Sequence, residues 1–63
     1  MAAEPVTSVL VADDHPLFLE GLVAALASEP SIQVVAAAAD GAEAVRLASE
    51  LQPRVAVLDL HMP

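Results

Sequence analysis

Three aspartates carry most of the chemistry this sequence offers. Asp13 and Asp14 follow the apolar run Val9-Leu10-Val11-Ala12, and Asp59 follows Val55-Ala56-Val57-Leu58. Carboxylates brought within a few ångströms repel, so at least one pKa rises unless a cation neutralises them. Hard oxygens suit Mg²⁺, which takes one or two carboxylates and keeps its other positions for water and phosphate. An aspartate beside such an ion can attack phosphorus and carry an aspartyl phosphate. Positioning and charge neutralisation then supply most of the catalysis. Two plainer roles stand beside this one. An Asp-Asp pair ahead of a helix serves as a cap, and Asp59 can simply end a strand. His15 and His61 lie next to the acids and raise zinc as an alternative, but an oxygen site explains the pattern without imidazole.

The elements that must position these residues are legible from periodicity. Residues 9–12 form a continuous apolar run of the kind buried on both faces of a sheet. Pro16 suits the first turn of a helix, with an aspartate upstream to cap it. Phe18, Leu22, Ala25 and Leu26 then repeat at helical spacing as its core stripe, and Pro30 closes it. Residues 32–36 read as a second strand, with its end blurred by the alanines at 36–39. Asp40-Gly41-Ala42-Glu43 has the spacing of a capping box. A second helix comes next, with Val45, Leu47, Ala48 and Leu51 on its apolar face and a Glu43–Arg46 pair on its surface. Pro53 ends it, and residues 54–58 make a third strand. The order β-α-β-α-β predicts an α/β fold with a parallel sheet. In the spatial order 2-1-3 the crossovers diverge, the helices take opposite faces, and a crevice opens between strands one and three. Their ends, ~4.8 Å apart, then bring Asp13, Asp14 and Asp59 to one edge.

Composition narrows the function classes. The chain has 63 residues, enough for one domain at most, and no cysteine for a disulfide or thiolate site. Nine acids against Arg46 and Arg54 give a net charge of −7. Such a surface repels phosphate backbones and anionic lipid, which argues against direct nucleic-acid or membrane binding. A 57% hydrophobic content excludes charge-driven disorder. No apolar run is long enough to span a membrane, and the start lacks the features of a signal peptide, so a cytoplasmic protein is expected.

Four separated blocks resemble one family. Val9-Leu10-Val11-Ala12-Asp13-Asp14-His15-Pro16, Phe18-Leu19-Glu20-Gly21-Leu22, Ala39-Asp40-Gly41 with Glu43-Ala44, and Val57-Leu58-Asp59-Leu60-His61-Met62-Pro63 look like the receiver domain of bacterial response regulators. The Asp-Asp-His-Pro opening and the Asp-Gly-x-Glu-Ala turn look most like the NarL/FixJ-type class. The resemblance implies a flavodoxin-like (CheY-like) fold and a phosphoacceptor role for Asp59, served by a sensor histidine kinase. It implies Mg²⁺ bound by the Asp14 and Asp59 side chains and the His61 backbone carbonyl, with Asp13 acting mainly through a water. It also implies a DNA-binding helix-turn-helix domain toward the C-terminus and, for the full-length protein, a possible homodimer.

The pattern departs from the family in length. A receiver has five strands, and the sequence stops after the third, so an N-terminal fragment is expected, with residues 1–7 a lead and 8–63 a partial receiver. The family's switch Ser or Thr and its lysine are missing; the chain has no lysine at all. Two rival functions remain. A haloacid-dehalogenase-type enzyme also uses a strand-end aspartate with Mg²⁺, but its Asp-x-Asp motif would need an acid at His61. A phosphorylation-independent interaction module is the other.

Overall fold

The computed structural model describes residues 5–59. Five elements alternate in chain order: β1 (Thr7–Ala12), α1 (Pro16–Ala27), β2 (Ile32–Ala38), α2 (Gly41–Leu51) and β3 (Val55–Leu58). The strands form one parallel sheet in the order β2-β1-β3, as the acid placement predicts. Right-handed crossovers in that order set α1 and α2 on opposite faces.

β1 is the central strand, with a partner on each side, and it is the most deeply buried. Val9, Leu10, Val11 and Ala12 are all at most 4% exposed. Full burial of a side chain such as Leu10 or Val11 stabilises by about 1.5–3 kcal/mol. The strand starts at Thr7, two residues before the apolar run at 9–12, because the Thr7 N–H donates to the Ser31 carbonyl at 2.9 Å.

β2 runs to Ala38, two residues past its expected end, and contains an irregularity. Val34 lies opposite Val9 but Ala36 lies opposite Leu10, which leaves Val35 between them. Strand side chains alternate between faces, so the extra residue reverses the parity of the strand beyond it. Ile32 and Val34 share a face with Val9 and Val11, whereas Ala36 and Ala38 share the other with Leu10 and Ala12. That second face carries α2: Ala12, Ala38 and Ala44 form a buried cluster with Leu47 packed against it. Small side chains let helix and sheet approach closely.

Both helices turn inward along stripes different from those expected. In α1 Phe18 is 61% exposed, and Leu19, Leu22, Val23 and Leu26 are the half-buried positions. The two stripes share Leu22 and Leu26. An almost wholly apolar helix satisfies several registers at once, so packing against the sheet decides between them. The expected aspartate cap is also absent: His15 is the N-cap residue and makes no side-chain capping bond. In α2 Ala44 is buried, while Val45 and Leu51 face outward. The Glu43 N–H donates to Asp40 Oδ1 at 2.8 Å, as a capping box requires. The return bond goes one residue upstream of the cap, from the Ala39 N–H to Glu43 Oε1 at 3.1 Å. That occupies Glu43, and Arg46 pairs instead with Glu50 at 3.3 Å, one turn on, where solvent keeps the pair weak.

β3 pairs only with β1, in the register Val9↔Val55 to Ala12↔Leu58. The Arg54 N–H donates to the Ser8 hydroxyl at 3.0 Å and fixes the start of the strand. All four β3 residues are exposed, although their composition reads as a strand buried on both faces.

Candidate functional site

The sheet's own backbone carries the acids to one edge. Beyond the end of β1, the Asp13 N–H donates to the Ala38 carbonyl at 3.1 Å and prolongs the ladder toward β2. Beyond the end of β3, the Asp59 N–H donates to the Ala12 carbonyl at 3.1 Å. The two carboxylates therefore sit at strand ends whose register is fixed by pairing rather than on free loops. Asp13 is buried, Asp59 has a side chain 16% exposed, and Asp14 is the most open of the three acids. The three aspartates that stand out in the sequence are thus brought together. His61 lies outside the described residues.

One member of the cluster is not expected from the sequence. The imidazole of His15 stands among all three carboxylates, its Nδ1 lying 2.8 Å from Asp13 Oδ1, 2.9 Å from Asp14 Oδ1 and 3.7 Å from Asp59 Oδ2. One donor atom from each of the four residues lies within 4.8 Å of the others. A residue before proline is held extended, and His15 has φ −103° and ψ 103°. The His15 N–H donates to Asp13 Oδ1 at 2.7 Å, which folds the chain back so that the ring overlies the strand ends. The legible signal is His15-Pro16, where proline fixes the backbone that aims the ring.

The electrostatics come from this geometry. Ionised carboxylates bring no proton, so at 2.8 Å from Asp13 it is Nδ1 that donates. The hydrogen bond to Asp13, then the charges of Asp14 and Asp13, raise the His15 pKa above its ordinary 6.5. Burial alone pushes the Asp13 carboxyl up; the His15 backbone N–H, its ring and its charge, with a smaller contribution from Asp59, outweigh burial and lower it below 3.8. A raised base stabilises the fold below its unfolded pKa and loses that effect as pH climbs through the folded value. A lowered acid stabilises above its unfolded pKa and loses it as pH falls through the folded one. The His15–Asp13 pairing therefore contributes fully between pH 3.8 and 6.5 and fades on either side. An NMR titration of the metal-free chain should place the His15 ring above 6.5, and Asp13→Asn should bring it back down. An unmoved His15 titration in that variant would show that the pairing does not form.

Comparison with known proteins shows the family. The model of the response regulator receiver domain matches residues 9–63, nearly the whole chain. The chain belongs to the response regulator receiver domain family. Within it, the sequence is similar to the transcriptional regulatory protein NarL of Mycobacterium tuberculosis, with 53% identity over 87% of this chain and 26% of that protein. It is also 53% identical to a protein-glutamate methylesterase/protein-glutamine glutaminase of Anaeromyxobacter dehalogenans, over 87% of this chain and 16% of that one. The solved signal receiver domain of the M. tuberculosis NarL superposes with a TM-score of 0.90 at 48% identity, covering 95% of this chain and 48% of that one. The receiver is of the NarL type, with the flavodoxin-like strand order 2-1-3. The chain spans about a quarter or less of the length of these two relatives. No helix among the described residues is long and apolar enough to cross a membrane.

Proposed function

We propose that residues 8–63 are the phosphoacceptor half of a receiver, preceded by a lead at residues 1–7, and that Asp59 accepts a phosphoryl group from a sensor histidine kinase. The observation that carries this reading is the convergence of Asp13, Asp14 and Asp59 at one sheet edge, with Asp13 and Asp59 held by backbone bonds at the ends of β1 and β3. Their oxygens are hard donors and fit Mg²⁺. Asp14 and Asp59 would hold it through their side chains with the His61 backbone carbonyl, and Asp13 would act through a bound water. The ion supplies charge neutralisation at the transferring phosphoryl group.

The chain's own residues do the rest. Asp59 is partly open, and its carboxylate oxygen attacks phosphorus as the donor's bond to the phosphoryl group breaks. Asp13 is the buried member, so its charge is fixed in place and holds neighbouring groups in line. The product is an acyl phosphate on Asp59, a signal rather than a turnover reaction. Likeness to NarL, a probable transcriptional regulatory protein, supports transcription control as the output. A C-terminal helix-turn-helix domain that binds DNA, a cytoplasmic location and a homodimer of the full-length protein are what the family resemblance implies. The acidic surface of this segment fits a regulatory rather than a DNA-contacting role.

A chimera tests the reading, with residues 8–63 replacing the matching half of the M. tuberculosis NarL receiver. Acetyl phosphate and Mg²⁺ should label it, Asp59→Asn should abolish the label, and Asp14→Ala should weaken Mg²⁺ binding. Glu50→Ala, on the solvent face of α2, should change neither. Undiminished labelling of the D59N chimera would place the phosphoryl group elsewhere.

A further inference from the structure

We propose that Nδ1 of His15 is a further metal donor, which lets the acidic edge hold borderline divalent ions such as Mn²⁺ and Zn²⁺ as well as Mg²⁺. The inference rests on the reading of Asp13, Asp14 and Asp59 as a metal site. Two donors at right angles around an ion, each at about 2.1 Å, lie about 3 Å apart. The separation of Nδ1 from Asp14 Oδ1, a direct carboxylate ligand of that site, is 2.9 Å and of that size. Asp59 Oδ2, at 3.7 Å, falls between the adjacent and the opposite spacing of such a shell. An ion seated between these atoms takes the place of the proton that Nδ1 directs at Asp13 Oδ1, and that proton is released to solvent.

The local chain favours this donor over a chance neighbour. His15 is the N-cap residue of α1, its backbone is held by Pro16 on one side and by Asp13 Oδ1 on the other, and its ring has few torsions to fix. The side chain is 68% exposed, so the rest of the ring stays hydrated when Nδ1 turns to an ion. Hard Mg²⁺ gains little from a nitrogen donor. Imidazole suits zinc and its neighbours, and their affinity for mixed nitrogen and oxygen sites exceeds that for all-oxygen ones. The histidine thus sets which ions compete at the phosphoacceptor edge.

The test is pulsed electron paramagnetic resonance on the chain loaded with Mn²⁺ and labelled with ¹⁵N-histidine. A histidine nitrogen coupling that persists in His61→Ala and vanishes in His15→Ala supports the assignment. In parallel titrations, His15→Ala should weaken Zn²⁺ binding by about tenfold and Mg²⁺ binding by less than about twofold. Mn²⁺ bound without nitrogen coupling overturns the role of His15 and leaves the three-aspartate site standing. Failure of both Mn²⁺ and Mg²⁺ to bind overturns the site and this donor together. Because the coupling is read in a chain that keeps His15, a misfolded His15→Ala variant does not spoil the result.

Discussion

Labelling of the 63-residue chain by acetyl phosphate and Mg²⁺ is expected to run at least about a hundredfold slower than labelling of the chimera with the NarL receiver. Asp59 and its neighbouring carboxylates are in place, so the nucleophile is not what limits the rate. Among the described residues, no lysine or arginine stands beside Asp59 to donate to the phosphoryl oxygens. The chain contains no lysine, and its arginines are Arg46, paired outward with Glu50, and Arg54, which precedes β3 at the strand end remote from Asp59. In the receiver family a lysine and a Ser or Thr contact those oxygens. Removing one such preorganised donor from an enzyme typically slows the chemical step by about 10²–10³. The initial rate of radiolabel incorporation, with protein and Mg²⁺ concentrations matched, gives the comparison. Equal rates would mean that the three-aspartate edge alone carries the transition-state charge.

Self-association is the second large effect to expect. β3 is an edge strand with Val55, Val57 and Leu58 at 45%, 37% and 52% exposure, and among the described residues only β1 pairs with it. Its outer N–H and C=O groups form a template for another strand, and neither Pro nor a charge interrupts Val55–Leu58. The repulsion implied by a net charge of −7 slows encounter without covering that edge. Sedimentation at micromolar concentration should therefore show mass rising with concentration, and β3 amides should exchange faster than those of β1. Val57→Lys, which puts a charge on the open strand, should lower the associated fraction. A sharp monomer with slowly exchanging amides in all three strands would refute this.

Much of the architecture is legible because it rests on local rules. Pro16, Pro30 and Pro53 punctuate the helices, and the acids at the ends of apolar runs point to the sheet order that unites them. Asp13, Asp14 and Asp59 meet where the sequence suggests. The failures share a cause, since each requires knowing what lies across from a residue. Phe18 sits on a stripe as regular as the true one, and only the sheet surface chooses between them. Arg46 has carboxylates both three residues before it and four after it; the choice falls to Glu50 because Glu43 is engaged by the Ala39 N–H. Asp13 as a cap is reasonable by residue type, but its Oδ1 is taken by the His15 N–H and ring. Metal chemistry alone discounts His15, whereas its position is decided by the proline next to it.

The unpaired Val35 governs where this fold can change length. In β1 the residues are matched one for one with β2 from Thr7 to Ala12 and with β3 from Val9 to Ala12, so losing Val11 would swap the faces of everything beyond it and turn Asp13 and Asp14 away from the edge. β2 has one residue in reserve. Without Val35, Val34 and Ala36 become neighbours and still meet Val9 and Leu10, on the faces they already occupy. Amide exchange in the chimera should thus show β2 intact after deletion of Val35 and the sheet lost after deletion of Val11. In this chain β2 can thus lose one residue without a change of face, whereas β1 must keep its length because the aspartate edge is measured from it.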